Sequence, residues 1–135
     1  MTCLMSERNA ISWVVALKPE AIAIRKQYRM TSVAHEGPYP VFKDSTDCHW
    51  LTISGMGRVH AAAATMYLHQ VSKAPPSAAW INVGIAGHSS ATYGDLYLVD
   101  KITENSTGRR GYPGPVISSS VARGSLVTVD KPETD

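Results

Sequence analysis

The chain has 135 residues, of which 44% are hydrophobic and 18% are charged, and its formal net charge is +2. This profile is typical of one soluble globular domain, and we expect residues 1–135 to belong to a single domain. No apolar run approaches the roughly 20 residues that span a bilayer, so we expect no membrane partner. The first residues lack the pattern of a secretory signal, which predicts a cytoplasmic protein.

The basic residues are scattered along the chain. Arg109 and Arg110 form a local pair in a stretch rich in Gly and Pro, whereas a nucleic-acid surface normally carries a concentrated basic stripe. We therefore expect a solvated loop there and no nucleic-acid partner.

Cys3 and Cys48 are far apart in sequence, and we expect both to remain thiols.

The sequence of residues 11–30 predicts a strand followed by a helix. The apolar run ISWVVAL at 11–17 has the β-branched content of a buried parallel strand. The following KPEAIAIRKQYRM places Pro19 in the first turn of a helix and Glu20 at the positive end of its dipole. The inner side of this helix is expected to carry Ala21, Ile22, Ile24 and Tyr28.

The middle of the chain continues in the same order. Gly and Pro interrupt 35–47, which predicts short strands or a hairpin, and CHWLTIS at 48–54 predicts a strand. Alanine-rich 59–73 predicts a helix, which Ala74-Pro75-Pro76-Ser77 ends. The run AAWINV at 78–83 predicts a third strand.

The last third is expected to be less regular. A strand is predicted at 96–102, after a turn at Gly94-Asp95, and 103–120 is predicted to be an extended loop. One more short strand is expected within 125–135.

This βαβ order brings loops that follow successive strands to one edge of the sheet. Parallel crossovers are right-handed, and ligands of open α/β sheets bind at the carboxyl edge of the strands. We therefore expect Leu17–Glu20, Ser54–Arg58 and Gly84–His88 to gather there.

Two glycine turns, SGMGR and GIAG, carry the strongest local signals at this edge. Glycine allows close backbone approach, and a helix N-terminus offers free N–H donors, but a tight turn without a ligand explains each motif equally well. The dinucleotide fingerprint and the Walker lysine are missing. Ordinary dipole complementation likewise explains Glu20 by itself. His88 is the histidine expected to face the edge, and the five histidines form no zinc set.

These motifs, taken in order, resemble a known family. VALKPEAIAI, TISGMGRVHAAAA, INVGIAG and YGDLYLVDKI resemble the first half of the purine nucleoside phosphorylase/nucleosidase superfamily, closest to its methylthioadenosine/S-adenosylhomocysteine nucleosidase type. The resemblance implies a three-layer α/β fold around a mixed sheet, with no cofactor and no metal. It also implies a homodimer that cleaves the N-glycosidic bond of a purine nucleoside.

The resemblance also implies roles for individual residues. Glu20 falls where the family has a glutamate that deprotonates the attacking water. The residues expected to line the substrate pocket are Ser54, Gly55, Met56, Gly57, Arg58, Ile85, Ala86, Gly87 and His88. The family usually has Ser or Thr near Ile85 and another Gly at His88, so the chain departs from its pattern at both positions.

Two other functions remain open. A phosphorylase of the same fold is disfavoured, because phosphorylases typically have a glycine-rich phosphate loop where this chain has LKPEA, although Arg58 could offer a cation to phosphate. A non-catalytic nucleoside-binding domain could keep the same turns.

The family takes two further catalytic residues, a ribose-binding glutamate and a purine-protonating aspartate, from a second half. The resemblance therefore implies a truncated fold, and we expect residues 1–135 alone to be inactive.

Overall fold

The structure is a computed structural model and describes residues 10–34, 36–114 and 118–131. The chain divides into two compact units, Met1–Ala86 and Gly87–Asp135. Its helices and strands, in chain order, are β1 (Ile11–Val15), α1 (Lys18–Gln27), β2 (Thr31–Ser32), β3 (Val41–Lys43), β4 (His49–Ile53), α2 (Arg58–Ser72), β5 (Ala79–Val83), β6 (Tyr97–Glu104), β7 (Arg110–Gly111) and β8 (Ala122–Thr128).

The five strands of the first unit form one mixed sheet in the order β2-β3-β4-β1-β5. The three strands β4, β1 and β5 are parallel, and Trp13 lies between Leu51 on one side and Ile81 on the other. Strand β3 pairs antiparallel with both of its neighbours, as expected for a region of short strands. The α/β fold and the three parallel strands predicted from the apolar runs are confirmed.

The two helices cover opposite faces of this sheet. The connection through α1 leads from β1 to β4, and the connection through α2 leads from β4 back across β1 to β5. Right-handed crossovers that run in opposite directions across a sheet lie on opposite faces. Both helices contact β1 and β4, so the first unit has three layers.

The core on the α1 side is built from alternate residues of the central strands. Val15 and Leu51 are fully buried there, together with Ala21 from α1. Ile24 and Tyr28 pack against this cluster, as the helical spacing predicts, but Ile22 is 62% exposed. The prediction for Ile22 is wrong, because it lies next to Ala21 in sequence and a helix turns adjacent residues by about 100° away from each other.

The ends of α2 follow from local chemistry. Gly57, with φ of 102°, precedes the first helical residue, and Lys73 adopts the left-handed conformation that ends the helix. Pro75 and Pro76 cannot continue it. Ala64 and Leu68 are completely buried, as expected for small and apolar side chains that let a helix lie close to a sheet.

The second unit contains a three-stranded sheet in the order β7-β6-β8. Strand β6 confirms the strand predicted at 96–102, and β8 runs parallel to it, beginning three residues before the stretch in which a strand is predicted. The prediction of a loop throughout 103–120 is wrong at Thr103 and Glu104, which end β6, and at Arg110–Gly111, which pairs with Ile102 and Thr103. Residues 115–117 of that stretch lie outside the described residues.

Cys48, at the entrance to β4, is disulfide-bonded, so the expectation of a thiol is wrong at this position. Cys3 lies outside the described residues. In the described part of the chain, no helix combines the length and the apolar character that crossing a membrane requires.

Candidate functional site

Three segments of the first unit meet at the carboxyl edge of its parallel strands. Val15, Ile53 and Val83 end β1, β4 and β5 in register. The helix after β1 leaves on one face of the sheet and the helix after β4 leaves on the other, which opens a crevice between the two loops. The predicted gathering of loops at this edge is therefore observed for 17–20, 54–58 and 84–86.

Glu20 is the central side chain of this edge. It occupies the third position of α1, and its Oε2 accepts the backbone N–H groups of Ala16 at 3.0 Å and Leu17 at 2.8 Å. Leu17 has no side-chain acceptor, so only the glutamate half of a capping box is present. Oε1 accepts the N–H of Ile85 at 3.3 Å. Glu20 thus joins the end of β1 to the segment that follows β5.

The first glycine turn lies beside the same strand end. The N–H of Gly55 donates to the carbonyl of Ala16 at 3.0 Å, one residue beyond β1. Gly55 has φ of 79° and Gly57 has φ of 102°, and a Cβ added at either position would meet no atom within 4 Å. These glycines are needed for their backbone conformation rather than for lack of space.

Ser54 lies buried within the first glycine turn, and its contribution to the pocket lining stays a prediction. It is 5% exposed, and its Oγ lies 2.7 Å from the carbonyl oxygen of Gly55 and 3.3 Å from that of Val15. The hydroxyl therefore donates to the backbone of its own turn. Met56, 66% exposed, and the exposed Arg58 extend outward from the same turn.

The second glycine turn approaches Glu20 directly. A Cβ added to Gly84 would lie 3.5 Å from Glu20 Oε1, which is ordinary van der Waals contact. Gly84 and Ala86 are exposed, and the side chain of Ile85 is 85% exposed. Backbone rather than side chains therefore faces the carboxylate from this segment.

Gly87 and His88, the last two predicted site residues, belong to the second unit. The Nδ1 of His88 accepts the backbone N–H groups of Ser90 at 3.0 Å and Ala91 at 2.9 Å. Its ring also stacks in parallel on Tyr97, with centroids 6.2 Å apart. These contacts hold the imidazole within its own loop, and its contribution to a ligand site stays a prediction.

The chemistry available at the edge follows from the hydrogen bonds of the carboxylate. An ionised carboxylate offers about four acceptor positions, and three backbone N–H groups already use three of them at Glu20. The remaining position is on Oε1, the oxygen that a Cβ added to Gly84 would approach to 3.5 Å. One acceptor is enough to orient and deprotonate a water molecule. Within 10–34, 36–114 and 118–131, no three His, Cys, Asp or Glu residues come together as metal ligands.

Sequence reasoning missed the amide groups that hold Glu20. A glutamate three residues after the residue that precedes a helix was a usable signal for the bond to Leu17, because this is the capping-box spacing. The bond to Ile85 had no comparable local signal, since 65 residues separate the two groups.

Comparison with solved structures identifies the fold. The chain superposes on a 5′-methylthioadenosine/S-adenosylhomocysteine nucleosidase (MTAN) from Neisseria meningitidis, in complex with methylthio-immucillin-A, with a TM-score of 0.75 and 18% identity, covering 92% of this chain and 66% of that one. An MTAN mutant from Helicobacter pylori, with 5′-methylthioadenosine in its active site, gives 0.68 at 14% identity, covering 93% and 66%. Uridine phosphorylase from Schistosoma mansoni gives 0.61 at 13% identity, covering 90% and 54%.

The chain therefore has the nucleoside phosphorylase/nucleosidase fold, and the fold implied by the sequence motifs is confirmed. It spans less than two thirds of the length of these solved chains. No protein-family model matches the chain, and no curated protein matches it.

Proposed function

We propose that this protein hydrolyses the N-glycosidic bond of a purine nucleoside, with Glu20 holding and deprotonating the attacking water. One observation carries the proposal: in a nucleosidase-type fold, Glu20 lies at the carboxyl edge of the parallel strands, beside Gly84, with one acceptor position left on Oε1. Departure of the purine leaves an oxocarbenium-like sugar, which a water oriented by a carboxylate can attack.

The glycine turns have a supporting role in this mechanism. Gly55 and Gly57 place the backbone at the start of α2 beside the same edge, and no side chain of theirs limits the approach of a sugar. Ile85 and Ala86, which follow Gly84, would pass along the other side of the ribose. Glu20 supplies only the base, so the reaction needs two further groups, one for the ribose hydroxyls and one acid for the purine.

Hydrolysis is favoured over phosphorolysis by the charge of the same residue. A carboxylate at the point of attack repels a phosphate nucleophile. A phosphorylase nevertheless shares the fold, as the Schistosoma mansoni uridine phosphorylase demonstrates. Product analysis separates the two reactions, because only phosphorolysis yields a ribose 1-phosphate.

The direct test uses the full natural protein and 5′-methylthioadenosine as probe. We expect release of adenine without added phosphate, a loss of kcat of at least about 100-fold in Glu20→Gln, and little change of KM. Gly114→Ala is the matched control and should retain activity. Saturable binding without turnover would instead support a nucleoside-binding domain.

A homodimer remains part of this proposal. The outer side of α2 presents Val59 at 81% exposure and Met66 at 65% exposure, one helical face that a second copy could cover. Val59→Glu combined with Met66→Glu should give a monomer by light scattering, whereas Ala23→Glu at an exposed position of α1 should not. The cytoplasmic location stays a prediction, and the disulfide at Cys48 argues against it because cytosolic disulfides are rare.

A further inference from the structure

We infer that Gly84 controls access to the reactive oxygen of Glu20, an inference that rests on the proposed function. The absence of a side chain at Gly84 leaves open the last free acceptor position of the carboxylate. Gly84 is therefore a residue that governs water access, and it makes no contact with the nucleoside in this inference.

The two oxygens of Glu20 accept different numbers of hydrogen bonds. Oε2 accepts two backbone N–H groups, at 2.8 and 3.0 Å, so both of its lone pairs are used. Among the groups of the described residues, Oε1 accepts only the N–H of Ile85, at 3.3 Å. A water molecule can therefore take a hydrogen bond only to the second lone pair of Oε1.

The position of Gly84 relative to Oε1 determines whether a side chain there would reach the carboxylate. A Cβ at Gly84 would lie 3.5 Å from Oε1, and no other atom of the described residues, apart from the two chain neighbours, would lie within 4 Å of it. A methyl group there would touch the carboxylate oxygen and exclude solvent from that side. Gly84 and Ile85 are exposed, so solvent reaches this side when the methyl group is absent.

The backbone conformation of Gly84 allows a side chain to be added there without strain. Gly84 does not have the positive φ found at Gly55 and Gly57, so alanine can adopt its conformation. The added methyl meets Oε1 at an ordinary contact distance, and no backbone must move. Gly84→Ala should therefore fold, and Gly84→Val provides a larger side chain at the same place for a graded series.

The test measures the accessibility of the Glu20 carboxylate and does not depend on catalysis. Purified protein is treated with a water-soluble carbodiimide and an amine, and the rate of amide formation at Glu20 is followed by peptide mass spectrometry. Exposed Glu36 serves as the internal reference. We expect the Glu20 rate, relative to Glu36, to fall severalfold in Gly84→Ala and further in Gly84→Val. Gly114→Ala, where an added Cβ meets nothing within 4 Å, should label like the parent protein.

A second measurement links access to the reaction. In the full natural protein, Gly84→Ala should lower kcat for 5′-methylthioadenosine severalfold and leave KM unchanged, because water rather than nucleoside is excluded. Unchanged Glu20 labelling in both Gly84 variants, or an equal decrease in Gly114→Ala, would overturn the inference. If labelling of Glu20 depends on the residue at position 84 but the protein cleaves no nucleoside, the proposed function is refuted. The inference that Gly84 controls access to Glu20 would then still hold.

Discussion

Oε1 of Glu20 accepts a hydrogen bond from the backbone N–H of Ile85, 65 residues further along the chain, at a distance of 3.3 Å. The same carboxylate caps the start of α1 through Ala16 and Leu17. A residue proposed as the catalytic base is therefore also a structural tie between the ends of β1 and β5. The two roles can be separated because a neutral amide accepts hydrogen bonds but is a poor base.

The first prediction concerns the stability of Glu20 variants. Glu20→Ala removes the acceptor of three backbone N–H groups and should lower the free energy of unfolding by about 1–3 kcal/mol. Glu20→Gln keeps one carbonyl acceptor and should lose less than Glu20→Ala. Urea denaturation measures both, and amide hydrogen exchange at Ile85 should accelerate most in Glu20→Ala. The exposed Glu36→Ala is the control, and a loss there as large as in Glu20→Ala would contradict the tie.

The second prediction concerns the two glycines with positive φ in the first turn. Alanine at Gly55 or Gly57 would meet no neighbouring atom, but the left-handed backbone disfavours any side chain by about 1–2 kcal/mol. Each substitution should lower the urea midpoint with an unchanged m-value. Gly114→Ala, which also has open space but no positive φ, should not lower it. Equal stability of all three variants would show that the turn relaxes without cost.

The structural features that depend on strand and helix periodicity could be predicted from the sequence. Three apolar runs separated by crossover segments require parallel strands, and parallel strands require that Glu20 and Gly84 lie at one edge. The burial of Ser54 could not be predicted this way, because it depends on the carbonyl groups of Gly55 and Val15 in the folded turn. The two residues of β7 were missed for a related reason: a two-residue strand has no periodicity, and its pairing partner decides its structure.

The third prediction concerns Gly37, which has no room for a side chain. A Cβ there would overlap Tyr67 Oη, so Gly37→Ala must displace the tyrosine ring from its contact with Tyr39. We expect a loss of up to about 1 kcal/mol in the free energy of unfolding, below the roughly 1–3 kcal/mol of an overpacked core, because Gly37 is exposed and the end of a side chain must move. In Gly37→Ala combined with Tyr67→Ala, the clash is gone, so the double variant should be more stable than the sum of the two single losses predicts. Additive losses in this double-mutant cycle would contradict the clash.

The fourth prediction concerns the pH dependence of stability. His49 stacks on Tyr28 with centroids 3.9 Å apart, and its Nδ1 accepts the indole N–H of Trp13 at 3.4 Å, a bond that requires the neutral ring. Burial lowers the pKa of His49 below its ordinary value of 6.5, although the nearby Asp44 carboxylate acts in the opposite direction. The folded state therefore binds this proton less readily than the unfolded chain.

The sign of the effect follows from that difference. As the pH falls through about 6.5, the unfolded chain takes up a proton at His49 before the folded protein does, so the free energy of unfolding decreases toward acid pH. His49→Phe keeps an aromatic ring against Tyr28 but cannot titrate. Urea denaturation between pH 8 and pH 5, in about half-unit steps, should give a shallower decline for His49→Phe than for the parent protein. Parallel curves would mean that His49 protonates equally in both states, and a steeper decline for the variant would reverse the assigned sign.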